Sequence, residues 1–149
     1  MEAVVFTGIQ ATGKSSFYLQ RFFRTHVRIS LDLLRTRHRE RTLLEACLRA
    51  GQPFVVDNTN PTAADRARYV GVARATAFRV VGFYFRSAIG EALARNATRS
   101  GAERIPDRGV LGTYARLVRP TRDEGFDALF YVQIGGDGFV VEEMCDEVR

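Results

Sequence analysis

The sequence predicts an α/β fold, a parallel sheet covered by helices on both faces. Three observations carry that expectation. Short apolar runs of strand length alternate along the chain with longer segments of helical periodicity. The first apolar run, Ala3–Phe6, leads into Gly8-Ile9-Gln10-Ala11-Thr12-Gly13-Lys14-Ser15, a glycine-bounded turn of the kind that joins a strand to a helix around a phosphate. No repeat, low-complexity tract or Pro/Gly/Ser-rich linker divides the 149 residues, which read as one domain over 1–149.

The elements follow in order. Ala3–Phe6 is uninterrupted apolar sequence ending in Thr7-Gly8, the mark of a strand buried on both faces. Ser15–Arg24 places Phe17, Leu19, Phe22 and Phe23 at helical intervals. His26–Ser30 is a second short strand. Leu31–Ala50 reads as mostly helical and stops at Gly51. Phe54–Asp57 is a third strand, and Asn58–Pro61 a loop, with Pro61 opening a helix to about Ala75. Arg79–Phe85 is a fourth strand. Ala88–Asn96 and Asp107–Leu117 are helices, and Leu129–Ile134 a fifth strand. The turn Gly135-Gly136-Asp137-Gly138 then allows Phe139–Val141 to return antiparallel.

Composition narrows the setting. No apolar run approaches the roughly 20 residues of a membrane-spanning helix. The run after Met1-Glu2 is too short for a secretory signal. Cys47 and Cys145 have neither metal-ligand spacing nor the number for a disulfide framework, so a reduced, cytoplasmic location is expected. The net charge of +5 suits a polyanionic partner, and equally follows from an arginine-rich composition. Lys14 is the only lysine, which sets it apart from surface decoration.

In an open parallel sheet, ligands bind beyond the C-terminal ends of the strands, here after Phe6, Ile29, Val56 and Phe85. The first of these segments fits the phosphate-binding pattern G-x-x-x-x-G-K-[ST]. Gly8 and Gly13 allow the tight turn, and the backbone N–H groups of Ala11, Thr12, Ser15 and Ser16 complete a cradle at a helix N-terminus. Lys14 reaches the β and γ phosphates, and the Ser15 hydroxyl is a ligand for Mg²⁺. The implied cofactors are ATP and Mg²⁺.

After the second strand stands Asp32, placed to accept the proton of an attacking hydroxyl, or alternatively a helix N-terminal carboxylate favoured by the dipole. Arg35, three residues on, shares its face if the helix is continuous. Asp57 ends the third strand where a carboxylate helps hold hydrated Mg²⁺, although a strand-end polar cluster is also ordinary turn chemistry. Arg95, Arg99, Arg104 and Arg108 crowd a segment with Ser100-Gly101 inside it, which reads as a flexible cationic lid or as solvated surface. Arg35, Arg37, His38, Arg39 and Arg41 form a second basic cluster suited to a phosphate-bearing acceptor. Asp65, Arg66 and Arg68 read as helix-surface charges.

Taken together, these motifs resemble the 5′-hydroxyl polynucleotide kinases, including the kinase module of the polynucleotide kinase/phosphatases. The likeness rests on Gly8–Ser15, on Asp32-x-x-Arg35, on Asp57-Asn58-Thr59-Asn60-Pro61 continuing through Val70, on Arg95–Arg99 followed by Ile105-Pro106, and on Pro120-Thr121 with Glu124-Gly125-Phe126. It implies a P-loop NTPase fold with a five-stranded parallel sheet in the order 2-3-1-4-5 and an arginine-rich lid. It implies Asp32 as general base, Lys14 and Arg99 on the transferring phosphate, Arg95 assisting, and Arg35 on an acceptor phosphate. Asn58 and Thr59 would join the acceptor site. The acceptor so implied is the 5′-OH end of DNA or RNA. Ser30-Leu31 replaces the Asn-Arg that often precedes the aspartate, and Gln10-Ala11 replaces Pro-Gly. These departures leave two alternatives open: a kinase of a small hydroxylated metabolite, or a switch that binds and hydrolyses ATP.

Overall fold

The computed structural model describes residues 1–144; Cys145 lies outside them. The strands are β1 (Glu2–Thr7), β2 (Val27–Ile29), β3 (Phe54–Val56), β4 (Arg79–Phe85), β5 (Ala128–Gly135) and β6 (Gly138–Glu143). They form a six-stranded sheet in the order β2-β3-β1-β4-β5-β6. The first five are parallel in the expected 2-3-1-4-5 order, and β6 returns antiparallel beside β5. The helices are α1 (Lys14–Arg21), α2 (Leu31–Leu34), α3 (Arg37–Ala50), α4 (Ala63–Ala75), α5 (Ile89–Ala97) and α6 (Asp107–Arg116).

The uninterrupted apolar run of β1 is explained by its central place. Ala3 and Val5 pack with Leu44 and Cys47 of α3 and Tyr69, Val70 and Ala73 of α4. Val4 and Phe6 point to the opposite face and meet Phe17 and Tyr18 of α1 and Phe22 at its C-terminal end. That second core is aromatic, with the Phe6 ring 4.9 Å from Phe85 and 5.9 Å from Phe17. A third, smaller cluster of Ile9, Ala92 and Val110 seats α5 and α6 over the loop that follows β1.

Four expectations from the sequence change. The helix predicted over Leu31–Ala50 is broken in two: α2 ends at Leu34, Arg35 takes a positive φ of 73°, and Thr36 caps α3 by accepting from the Arg39 N–H. Asp32 and Arg35 therefore do not share a helix face. The helix expected from Pro61 begins at Ala63, because Thr62 and Asp65 form a capping box. Asp65 is thus a cap and not a free surface charge. Arg66, also read as a surface charge, is fully buried; its guanidinium donates to both Glu124 oxygens (2.7 and 3.0 Å) and to the Asn60 carbonyl.

Candidate active site

The loop between β1 and α1 is fixed from several sides. The Gly8 N–H donates to the Thr59 carbonyl at 3.0 Å, and the Ile9 N–H to Ser87 Oγ at 3.1 Å. Those amides are committed to protein, so Gly8 contributes shape and not a phosphate contact. A Cβ there would stand 2.9 Å from Phe85 Cβ. The cradle is left to the amides from Ala11 onward. Ala11 (φ 62°) and Gly13 (φ 92°) both have left-handed backbones, the alternation that turns successive N–H groups inward around an anion. A side chain at Gly13 would meet the Phe139 ring of β6 at 2.9 Å. Thr12 Oγ1 ties back to the Ile9 carbonyl, and Ser15 and Ser16 are exposed on the first turn of α1.

Lys14 is buried, its ammonium donating to the Gly8 and Ile9 carbonyls at 3.0 and 2.8 Å. Burial lowers its pKa to about 8; Asp57 pushes it back up, Arg99 lowers it and Asp32 raises it. Asp57, Arg99 and Asp32, from three separate segments, thus bear on this ammonium through their charges. Asp57 is buried and accepts from the Ser15 hydroxyl at 3.0 Å and from Arg28 Nε at 2.9 Å.

Asp32 is exposed on α2, a single turn held by the Leu31 N–H donating to Asn58 Oδ1 at 2.9 Å. The Asn58 amide nitrogen donates to Glu40 Oε2 (2.9 Å) and to the Tyr69 hydroxyl (3.2 Å). Tyr69 in turn donates to Glu40, and Arg37 donates to Glu40 Oε1 and to Tyr69. Glu40 and Tyr69 are buried, and burial, with Glu40 beside it, pushes the Tyr69 phenol up. Asn58, expected among the acceptor contacts, thus spends its amide on this network, and Thr59 gives its carbonyl to Gly8.

The basic cluster after Asp32 is dispersed. Arg37 turns to Glu40, Arg39 donates to the Leu34 carbonyl, and Arg41 lines a cavity of about 380 Å³ between α3 and α4 with Arg68. Arg35 is exposed at the break between α2 and α3. In the segment expected to form a lid, Arg95 donates to the Ala11 carbonyl of the cradle at 3.2 Å, while Arg99 donates to the Glu103 carbonyl. Arg104 and Arg108 are exposed. That segment is clamped at its base, because buried Asn96 bonds both the N–H and the carbonyl of Ile105. Beside the cradle, a cavity of about 260 Å³ is lined by Thr12, Arg86, Glu91, Arg95, Gln133 and Ile134.

Sequence reasoning missed Arg28, Ser87, and the Glu40–Tyr69 pair. Arg28 carried one usable signal: a charged residue between Val27 and Ile29 in a short strand must face away from the core those two enter. The others depend on partners far away in sequence.

A left-handed, glycine-bounded cradle between a central parallel strand and a helix, with a buried lysine and a strand-end carboxylate, defines a nucleotide-binding protein of the P-loop NTPase fold. Residues 35–120, more than half of the chain, match the sequence family described as AAA domain, and the chain belongs to that family. Solved structures agree on the fold. A gluconokinase from Sinorhizobium meliloti 1021 is 17% identical over 88% of this chain and 81% of that one, with a TM-score of 0.63. Chaetomium thermophilum Kti12, in complex with ADP-AlF3, is 15% identical over 88% of each chain, with a TM-score of 0.66. A protein of the PezAT chromosomal toxin–antitoxin system of Streptococcus pneumoniae is 10% identical over 89% of this chain and 68% of that one, with a TM-score of 0.64. Among the described residues no helix is long and apolar enough to cross a membrane.

Proposed function

We propose that this chain is a Mg²⁺- and ATP-dependent phosphotransferase that moves the γ-phosphate onto a hydroxyl of a small metabolite. The observation that carries the reading is the geometry of the cradle: buried Lys14 held on the Gly8 and Ile9 carbonyls, with the Ser15 hydroxyl bonded to Asp57 at the end of β3. Lys14 and the amides of Ala11–Ser16 hold the triphosphate, and the cavity beside Thr12 and Arg95 takes the nucleoside. Ser15 and Asp57 offer two oxygen donors 3.0 Å apart, the donor type that Mg²⁺ takes, so the residues fit the metal. When bound, the metal neutralises charge on the phosphate oxygens. Asp32, exposed beyond the end of β2, accepts the proton of the attacking hydroxyl. Arg99, with Arg95 beside it, neutralises charge spread over the transferring phosphoryl group.

Two things support a small acceptor. A gluconokinase shares the fold over most of both chains. Two of the four arginines after Asp32 are engaged with protein, Arg37 with Glu40 and Arg39 with the Leu34 carbonyl, which leaves fewer of them for a chain of phosphates. A second reading, transfer to the 5′-OH end of DNA or RNA, is favoured by the sequence of Asp32-x-x-Arg35 and Asp57–Pro61 and by the net charge of +5.

Label transfer from γ-labelled ATP, with Mg²⁺ at low salt, tests both. The acceptors are a panel of sugar acids, polyols and nucleosides beside 5′-OH oligonucleotides. Label on a small hydroxylated compound and none on oligonucleotides is expected. Label on oligonucleotide ends, falling steeply with salt, would reverse the order of the readings. Slow, Lys14-dependent release of inorganic phosphate with no labelled acceptor would point to an ATP-hydrolysing switch.

A further inference from the structure

Arg28 lies on β2, an edge strand of three residues. Its neighbour Ile29 enters the core under α3 and α4, so the Arg28 side chain leaves the opposite face of the sheet, toward α1. There it closes a triangle. Arg28 Nε donates to Asp57 Oδ2 at 2.9 Å, Arg28 Nη2 donates to Ser15 Oγ at 3.1 Å, and Ser15 Oγ donates its proton to the same Asp57 oxygen at 3.0 Å. The Asp57 carboxylate is 2% exposed and the Arg28 side chain 28%, so this is a largely desolvated ion pair with water at one side.

The oxygens in the triangle are the two that the proposed function assigns to the metal. Mg²⁺ would be held by the Ser15 hydroxyl oxygen and, with the waters it retains, by the Asp57 carboxylate. The guanidinium uses the same serine oxygen and the same carboxylate oxygen. A serine hydroxyl whose proton goes to Asp57 and whose oxygen accepts from Arg28 is not oriented toward a metal ion, and a cation beside Asp57 opposes the arrival of a second one.

We propose that Arg28 is a resident cation of the metal seat, a guanidinium that must leave Ser15 and Asp57 before hydrated Mg²⁺ takes them. Arg28 then sets how strongly nucleotide binding depends on the metal. The proposal rests on the nucleotide and metal roles given above for Lys14, Ser15 and Asp57. Arginine suits the task because its planar fork spans both oxygens at once, which a lysine ammonium on a flexible stem does less well. The edge position of β2 leaves the guanidinium an open side toward which it can swing.

The test uses the full chain and a fluorescent ATP analogue, titrated in EDTA and at a series of free Mg²⁺ concentrations. It compares wild type, Arg28→Met and Arg28→Lys, with thermal melts as the check on folding. Arg28→Met keeps the apolar stem and removes the fork and its charge. Its half-saturating Mg²⁺ concentration for nucleotide binding should fall about tenfold, the scale of one charge-assisted hydrogen-bonded contact. Its affinity in EDTA should not improve. Arg28→Lys should fall between the two.

An unchanged Mg²⁺ dependence in a folded Arg28→Met protein would overturn the proposal. A raised Mg²⁺ requirement would overturn it as well, by making Arg28 a helper of the metal. If the methionine variant does not fold, the lysine variant decides by the same measurement: a lowered requirement supports the proposal and an unchanged one sinks it. Wild-type protein that binds the analogue neither with nor without Mg²⁺ would instead remove the nucleotide reading, and this proposal with it. The two failures are therefore told apart by the wild-type titration alone.

Discussion

The two sides of the cleft, the phosphate cradle proposed for the donor and the Asp32 turn proposed for the acceptor, are held by different means. On the donor side, the loop from Gly8 to Gly13 is fixed by backbone bonds to Thr59 and Ser87, by Lys14 donating to two of its own carbonyls, and by Phe139 packed against Gly13. On the acceptor side, Asp32 rides on a single helical turn. One bond to Asn58 holds that turn at its start, and behind Asn58 stands the buried Glu40–Tyr69–Arg37 network. A loop tied in several places tolerates the loss of one contact. A single turn with few ties, here the Asn58 bond at its start and an exposed Arg39 bond to the Leu34 carbonyl at its end, transmits the loss to the residue it carries.

The largest expected effect breaks the donor side from a distance. Arg66 is fully buried, paired with Glu124, and also donates to Asn60; the adjoining Thr59 receives the Gly8 N–H. Glu124→Ala would leave a buried guanidinium without its partner and should cost about 3–5 kcal/mol of stability, read from denaturant unfolding. A loss under about 1 kcal/mol would show that the pair contributes little to the frame of the loop.

Next comes Lys14→Met, in which binding and stability should move in opposite directions. Nucleotide binding and transfer should fall roughly 10²–10³-fold. The fold should not weaken, because the folded state holds this ammonium below its ordinary pKa of 10.5, at about 8. In that sign the unfolded chain binds the extra proton, so the burial penalty is full below pH 8 and fades as pH rises from about 8 to 10.5. Unfolding of wild type and variant followed across that range should show the variant's advantage shrinking with rising pH. A variant that is destabilised at every pH would contradict the burial account of Lys14.

These pairings separate what was legible in the sequence from what was not. The donor side was readable because its determinants are local: two glycines, one lysine and one serine at fixed spacing after an apolar strand. The strand order followed from the resemblance, and Asp57 from its place at a strand end. The break at Arg35 was not readable. Leu31–Ala50 is mostly good helix formers, and an arginine gives no sign that its φ is 73°, a conformation more usual for glycine or asparagine. Arg66 looked like a surface charge because its partner Glu124 is 58 residues away. Asn58 was placed with the acceptor contacts because the fork that occupies it, Glu40 and Tyr69, comes from two helices that only the fold brings together.

The smallest effect sharpens the comparison on the acceptor side. Tyr69→Phe removes one hydroxyl from the network behind Asn58 and should cost about 1 kcal/mol of stability. ATP affinity should stay as it is, while kcat for transfer falls several-fold because the Asp32 turn is less well placed. Equal changes in ATP affinity and kcat would mean that the two sides are not held independently.

The central claim is that Asp32 acts in phosphoryl transfer and takes no part in binding the nucleotide. Asp32→Asn keeps the shape of the side chain and removes the proton acceptor. With the acceptor found in the labelling panel, ATP affinity and single-turnover transfer are measured on the same preparation of Asp32→Asn and wild type. ATP affinity should be unchanged within about twofold, and transfer should fall by about 10²-fold or more. Transfer at the wild-type rate, or a loss of ATP affinity that matches the loss of rate, would contradict the account.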